Sequence, residues 1–119
     1  MKDERFPRSA RIRSGREIRW LLRKGRRCRL GPIDAFIAQA AETGPRFGLI
    51  VPRHGHSAAA RNRLQRRLRE IARRDWLPAA RTRERGLDVL VRARREAYGR
   101  SYEELRALIT EAVERPCEA

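Results

Sequence analysis

Seven arginines, at positions 61, 63, 66, 67, 69, 73 and 74, make up half of the fourteen residues from Arg61 to Arg74. A guanidinium stays charged at any physiological pH, pairs bidentately with phosphate and stacks on bases, so the chemistry open to this run is recognition of a polyanion. Its placement suits that task. At about 100° per residue, Leu64, Leu68, Ile71 and Ala72 fall on one side of a helix. Asn62, Arg66, Arg69 and Arg73 project from the opposite side, with Arg63, Arg67 and Arg74 on a flank. Like charges three or four apart destabilise a helix by roughly 0.2–0.5 kcal/mol per pair, and Glu70 offsets only part of this. A partner must neutralise the rest, with an affinity that falls steeply with salt as counterions are released. Arg53 and His54 in the preceding loop, with backbone N–H groups at a helix start near Ser57, extend the surface toward an anion. The helix by itself does not choose between a DNA major groove and structured RNA.

Other side chains offer less. His54-x-His56 has metal-ligand or acid/base spacing, but no acidic cluster lies near it in sequence, and Asp34 and Asp88 fall on separate predicted strands. A protein nuclease built on these histidines is therefore disfavoured, and no metal site is expected in the chain itself. Cys28 and Cys117 lie far apart with no Cys-x-x-Cys pair, so two reduced thiols are expected. The 30 Lys+Arg against 15 Asp+Glu give +15, and all the basic residues except Lys2 and Lys24 are arginine. A membrane surface is the competing polyanion. No segment approaches the roughly 18 apolar residues of a spanning helix, and the start, Met-Lys-Asp-Glu-Arg-Phe-Pro-Arg, lacks the apolar stretch of a signal peptide, so a cytoplasmic protein is expected.

At 119 residues, a single core is expected. Residues 1–13 read as a basic arm or loosely docked segment, 14–114 as one domain and 115–119 as a tail. Ser14-Gly15-Arg16-Glu17 matches a capping box, with Ile18, Leu21 and Leu22 at helical spacing and Gly25 as a left-handed stop. The stretch from about Arg29 to Ala41, centred on Ile33–Ala38, reads as a strand, and the turn Glu42-Thr43-Gly44-Pro45 leads into Arg46–Val51, predicting an antiparallel hairpin. Ser57 caps the basic helix, which is run to about Trp76 with Pro78 after it, followed by a link from Ala79 to Gly86. Leu87–Arg92 reads as a central strand buried on both faces. Ser101-Tyr102-Glu103-Glu104 is a second capping box, before a helix with Leu105, Leu108, Ile109, Ala112 and Val113 on one stripe. Phe47 and Trp76 read as packing, and Tyr98-Gly99 as the turn before the last helix. The fold class predicted is α+β: a two-layer α/β sandwich with a small, mostly antiparallel sheet and three helices.

Two stretches are specific. Gly48-Leu49-Ile50-Val51-Pro52-Arg53-His54-Gly55 and Ala58-Ala59-Ala60-Arg61-Asn62-Arg63-Leu64-Gln65-Arg66-Arg67-Leu68-Arg69-Glu70 together resemble the signature of the bacterial ribonuclease P protein subunit. Arg11-Ile12-Arg13, Glu17-Ile18 and Lys24-Gly25 resemble that family's first segment, and Leu87-Asp88-Val89 and Ser101–Leu105 its last strand and helix. The resemblance covers roughly residues 8–113. It implies a ribosomal protein S5 domain 2-like fold and a partner of a large catalytic RNA that removes the 5′ leader of precursor tRNA. The hydrolysis would be done by the RNA with bound Mg²⁺ and no protein catalytic residue. It implies that Arg53, His54, Arg61, Asn62, Arg63, Arg66, Arg67, Arg69 and Arg73 hold the catalytic RNA, one monomeric protein per RNA. A cleft between first helix, sheet and basic helix would hold the single-stranded leader, with Arg11, Ile18, Leu22, Phe36 and Gln65 as its candidates and Phe36 either as the base-stacking platform or, as strand Phe residues often are, a core residue. Ile18 and Leu22 stand where the family often has Phe, with Trp20 nearby either as a substitute for their stacking or as packing, Gln65 stands where the family has Lys, and Arg53-His54 where it has a Lys pair. The alternative, from charge and small α+β fold alone, is a non-enzymatic ribosomal or ribosome-assembly RNA-binding protein.

Overall fold

The computed structural model describes residues 7–40, 44–82 and 86–114. Its elements in order are α1 (Gly15–Lys24), β1 (Arg26–Leu30), β2 (Ile33–Gln39), β3 (Arg46–Ile50), α2 (Ala58–Ile71), α3 (Leu77–Thr82), β4 (Leu87–Ala93) and α4 (Tyr102–Glu114). The four strands form one sheet in the order β1-β2-β4-β3. The run Leu87–Arg92 takes the central position its apolar character demands, flanked by β2 antiparallel and β3 parallel.

Strand alternation sorts the side chains into two faces. Ile33, Ala35 and Ile37 of β2, Phe47 of β3, and Val89 and Val91 of β4 join Leu64, Leu68 and Ile71 of α2 and Leu105, Ile109 and Ala112 of α4 in the main core. On the other face Phe36 and Leu90, opposite each other in register, pack with Leu21 of α1 and Ile12. The class is the α+β sandwich expected, with α1 as a partial third layer on that second face. Phe47 and Trp76 meet in the main core with ring centroids 5.4 Å apart, as packing residues.

The predicted hairpin is corrected. β2 turns back through Gly31-Pro32 to pair with β1, and β3 is separated from it by β4. β1 escaped notice because Arg26, Arg27 and Arg29 dominate it, although Cys28 and Leu30 alternate inward as a half-buried strand requires. β3 instead runs parallel to β4, with Arg46 directly opposite Asp88. The Arg46 guanidinium donates to both Asp88 carboxylate oxygens, at 3.0 and 2.8 Å, and to Glu17 of α1 at 3.3 and 3.1 Å. That single side chain ties the first helix to the strand pair. It also explains why only half of the first capping box forms: the Glu17 N–H donates to Ser14 Oγ at 3.3 Å, while the Glu17 carboxylate is spent on Arg46. The second box closes fully, with Ser101 Oγ accepting from the Glu104 N–H and Glu104 accepting from the Ser101 N–H.

Gly25 does not end α1 in the left-handed region. It is extended, at φ −68° and ψ 155°, and its N–H donates to Leu21 O. Glycine is needed there for space, since a Cβ would lie 2.7 Å from that same carbonyl. The basic helix also runs further than expected. At Ala72–Trp76 its turn widens to i→i+5 bonding, with the Leu77 N–H donating to Ala72 O, and a last α-turn follows as α3. A proline inside a regular α-turn removes a donor and clashes with the carbonyl four residues back; the wider turn leads Pro78 past that conflict. Of the expected link, residues 79–82 are therefore helical, and 83–85 lie outside the described residues.

Of the expected arm, the described part lies on the sheet edge. Arg8–Ala10 form a 3-10 turn, Ala10 and Ile12 are buried, Arg11 bridges to Phe47, and the Ile12 N–H donates to Phe47 O at 3.0 Å. Gly48 makes this possible: a Cβ there would meet Ile12 Cβ at 3.0 Å and Leu90 Cδ1 at 3.1 Å. Cys28 is disulfide-bonded, correcting the expectation of a reduced thiol. The topology accounts for its neighbourhood, since α4 lays its last turns across β1 and brings Ala112 O within 3.9 Å of Cys28 Sγ. Cys117 lies outside the described residues.

Candidate RNA-binding surfaces

Ser57 Oγ accepts from the Ala60 N–H at 3.1 Å and starts α2 where the sequence places it. Leu64, Leu68 and Ile71 then face the sheet, and Asn62, Arg63, Arg66 and Arg69 are exposed on the outside. Three arginines of the run are structural as well as cationic. Arg61 Nε donates to Val51 O at 2.7 Å and pins the helix start to the end of β3. Arg67 donates to Arg100 O at 3.1 Å, on the approach to α4. Arg73 pairs with Glu70, Nε to Oε2 at 3.3 Å, and this partner holds the Glu70 carboxyl below its usual range. Arg63, Arg66 and Arg69 make no ion pair among the described residues. They leave a set of exposed guanidiniums on one side of the molecule, the arrangement a phosphate backbone neutralises.

The basic loop beside the helix is built on a residue that sequence reasoning assigned only to a turn. Tyr98 donates its hydroxyl to Pro52 O at 2.5 Å and stacks its ring on His56, with centroids 3.9 Å apart and ring planes nearly parallel. His54 and Gly55 both take positive φ, 52° and 87°, and the His56 N–H closes the turn onto Arg53 O at 2.8 Å. The His54 ring reaches Ala93 O at 3.3 Å, and His56 Nδ1 lies 3.0 Å from Arg53 O. Arg53 is exposed at the tip. Both imidazoles serve to fold the loop, and no three metal-ligating side chains converge among the described residues.

The leader-cleft candidates divide between layers. Ile18 and Leu22 are half-buried against Phe36 and Leu90, so the structure brings Ile18, Leu22 and Phe36 together. Arg11 is exposed beside Ile12. Gln65 is half-buried on α2, whose apolar side packs on the opposite face of the sheet. Phe36 is 3% exposed, which corrects its reading as an open platform. Arg27 and Arg92 lie over its ring at 5.6 and 5.1 Å, and the surface presented there is guanidinium rather than aromatic. These arginines are held by Asp34, itself buried, which pairs with Arg27 at 3.4 Å, Arg92 at 3.1 Å and Arg94 at 3.3 Å. Burial acts to raise the Asp34 pKa, but the hydrogen bonds from Arg92 and Arg94 and the charges of Arg94 and Arg27 outweigh it, and the pKa is lowered. Three cations around one carboxylate leave this floor positive. No local signal could have revealed the cluster, because Arg92 and Arg94 stand 58 and 60 residues from Asp34.

Fold and surfaces together define a small α+β protein with an arginine-faced helix and a second positive, partly apolar surface beside α1. The sequence profile of ribonuclease P matches residues 6–117, and the chain belongs to the ribonuclease P protein family. It is 34% identical to the ribonuclease P protein component of Corynebacterium diphtheriae, over 92% of this chain and 95% of the relative. In fold it is similar to the ribonuclease P protein of Thermotoga maritima, with a TM-score of 0.73, 21% identity, and 91% of this chain and 98% of the other covered. It is likewise similar to that of Staphylococcus aureus, with a TM-score of 0.72, 18% identity, and 88% and 93% covered. The chain is thus a ribonuclease P protein component, an RNA-binding subunit of a tRNA-processing ribonuclease, and the ribosomal alternative is not favoured. Among the described residues no helix is long and apolar enough to cross a membrane.

Proposed function

We propose that this subunit assists an RNA catalyst by electrostatics and positioning: α2 and the loop Arg53–His56 dock on the ribonuclease P RNA, and the hollow beside α1 takes the 5′ leader of precursor tRNA. The observation that carries the reading is the outward face of α2, where Asn62, Arg63, Arg66 and Arg69 are exposed and the three arginines make no ion pair among the described residues. The hollow adds a positive floor from Arg27, Arg92 and Arg94 with apolar walls from Ile18 and Leu22, a combination suited to a single strand. Mg²⁺ belongs to the RNA in this scheme. Asp34 and Asp88 are both committed to arginines, and the described residues offer no ligand set. One monomer serves one RNA, in the cytoplasm where tRNA is matured.

Reconstitution tests the reading. Added to a ribonuclease P RNA at limiting Mg²⁺, the chain should raise the rate of leader removal from precursor tRNA. A rate unchanged at every protein concentration would overturn it.

A further inference from the structure

Among the described residues Trp20 is the one large apolar side chain left exposed, at 47%. It stands on α1 roughly opposite Ile18 and Leu22, which face the sheet, so it contributes nothing to the core or to the inner wall of the hollow. Arg16, Arg23 and Lys24 lie one helical turn away from it at i−4, i+3 and i+4, all exposed and none in an ion pair among the described residues. The only acid of the helix, Glu17, is turned away to Arg46. The outer face of α1 is therefore an indole ringed by unneutralised cations. Single-stranded nucleic acid is gripped by this pairing of an aromatic plane for a base with cations for the flanking phosphates.

The topology indicates which RNA reaches it. α1 and α2 pack on opposite faces of the sheet, so their outer surfaces point away from each other. An RNA docked on α2 lies on the far side of the molecule from Trp20. A strand in the hollow passes along Ile18 and Leu22, and needs only to cross α1, about 10–12 Å in diameter, to arrive at the indole. We propose that Trp20, flanked by Arg16, Arg23 and Lys24, stacks on a base of the precursor leader where the strand leaves the hollow. This rests on the leader reading given above.

The test uses the reconstituted holoenzyme with two precursors, one whose leader ends within the hollow and one with a leader extended well beyond it. Trp20→Ala should weaken binding of the long-leader precursor about five- to a hundredfold, the range of one lost stacked base, and leave the short-leader precursor unchanged. Trp20→Phe should retain most of the affinity. The long leader alone should quench the emission of Trp20, while the buried Trp76 is unaffected. An equal loss on both precursors would assign Trp20 to the catalytic RNA and overturn the proposal, as would no loss on either. Wild-type holoenzyme that fails to bind precursors better than the RNA alone would overturn the leader reading itself, a result that no Trp20 variant is needed to obtain.

Discussion

Arg46 is the side chain on which most local geometry depends, because its fork satisfies a buried aspartate and a helix-borne glutamate together. Arg46→Ala leaves Asp88, 8% exposed, without its bidentate partner. Breaking a buried pair from one side costs about 3–5 kcal/mol, and the partial exposure of Glu17 places the expected loss near the low end. Urea denaturation should show a reduced midpoint, with Arg46→Lys falling in between because an ammonium cannot reproduce the fork. Asp34 makes a pH-dependent contribution. Its folded pKa is lowered below 3.8, so its stabilisation is complete above that value and is lost as the pH falls through the folded pKa. Thermal melts of the wild type should therefore fall below about pH 4 more steeply than those of Asp34→Asn, and parallel acid limbs would remove Asp34 from the account. Neither role could be read in sequence, where Asp34 and Asp88 are merely two acids in apolar strands. Their partners are assigned by register across the sheet, as is the seat that Tyr98 gives His56.

At the scale of elements, the helices and the central strand were legible because each carries its own signal. Ser14, Ser57 and Ser101 mark three helix starts, and Leu87–Arg92 is a nearly continuous apolar run with Asp88 as its one internal charge. Pairing carried no such signal. β2 and β3 adjoin in sequence and invite a hairpin, yet the strand that suits the gap between them arrives only after the basic helix. The extension past Pro78 was hidden for a similar reason, since a proline reads as a stop unless the turn before it widens. Gly48, by contrast, is a motif residue with a steric meaning that the fold supplies. Gly48→Ala would press on Ile12 and Leu90 at 3.0 and 3.1 Å, and overpacking of this kind costs about 1–3 kcal/mol. The 7–13 segment should loosen first, so limited proteolysis near Arg11 and Arg13 should accelerate in this variant before global stability falls.

For the molecule as a whole, the net charge of +15 is distributed over both outer layers. The face of α2 dominates contact with the catalytic RNA in the proposed scheme. Replacing Arg63, Arg66 and Arg69 with Gln should lower the slope of log affinity against log salt by about 2–3. Filter binding across a salt series measures it; a slope unchanged by all three substitutions would show that α2 is not the docking face. The candidate site was legible to the same degree as its charge is contiguous: one helix revealed itself, whereas the arginines that β1, β4 and the residue after β4 gather around Asp34 did not.

The parallel pairing of β3 with β4 bears on how the chain folds. Arg46 and Asp88 are 42 residues apart, and the chain between them contains the whole arginine helix. The sheet cannot be completed until that self-repelling segment has coiled and closed a long loop, a step whose rate falls as contacts become less local. β1 and β2, joined by a tight turn, have no such delay. A polyanion that screens α2 should therefore hasten the slow phase, and stopped-flow refolding with and without inorganic polyphosphate should reveal a faster β4 docking step. The surface proposed to receive the RNA would then also make the maturation of the nascent protein responsive to that RNA.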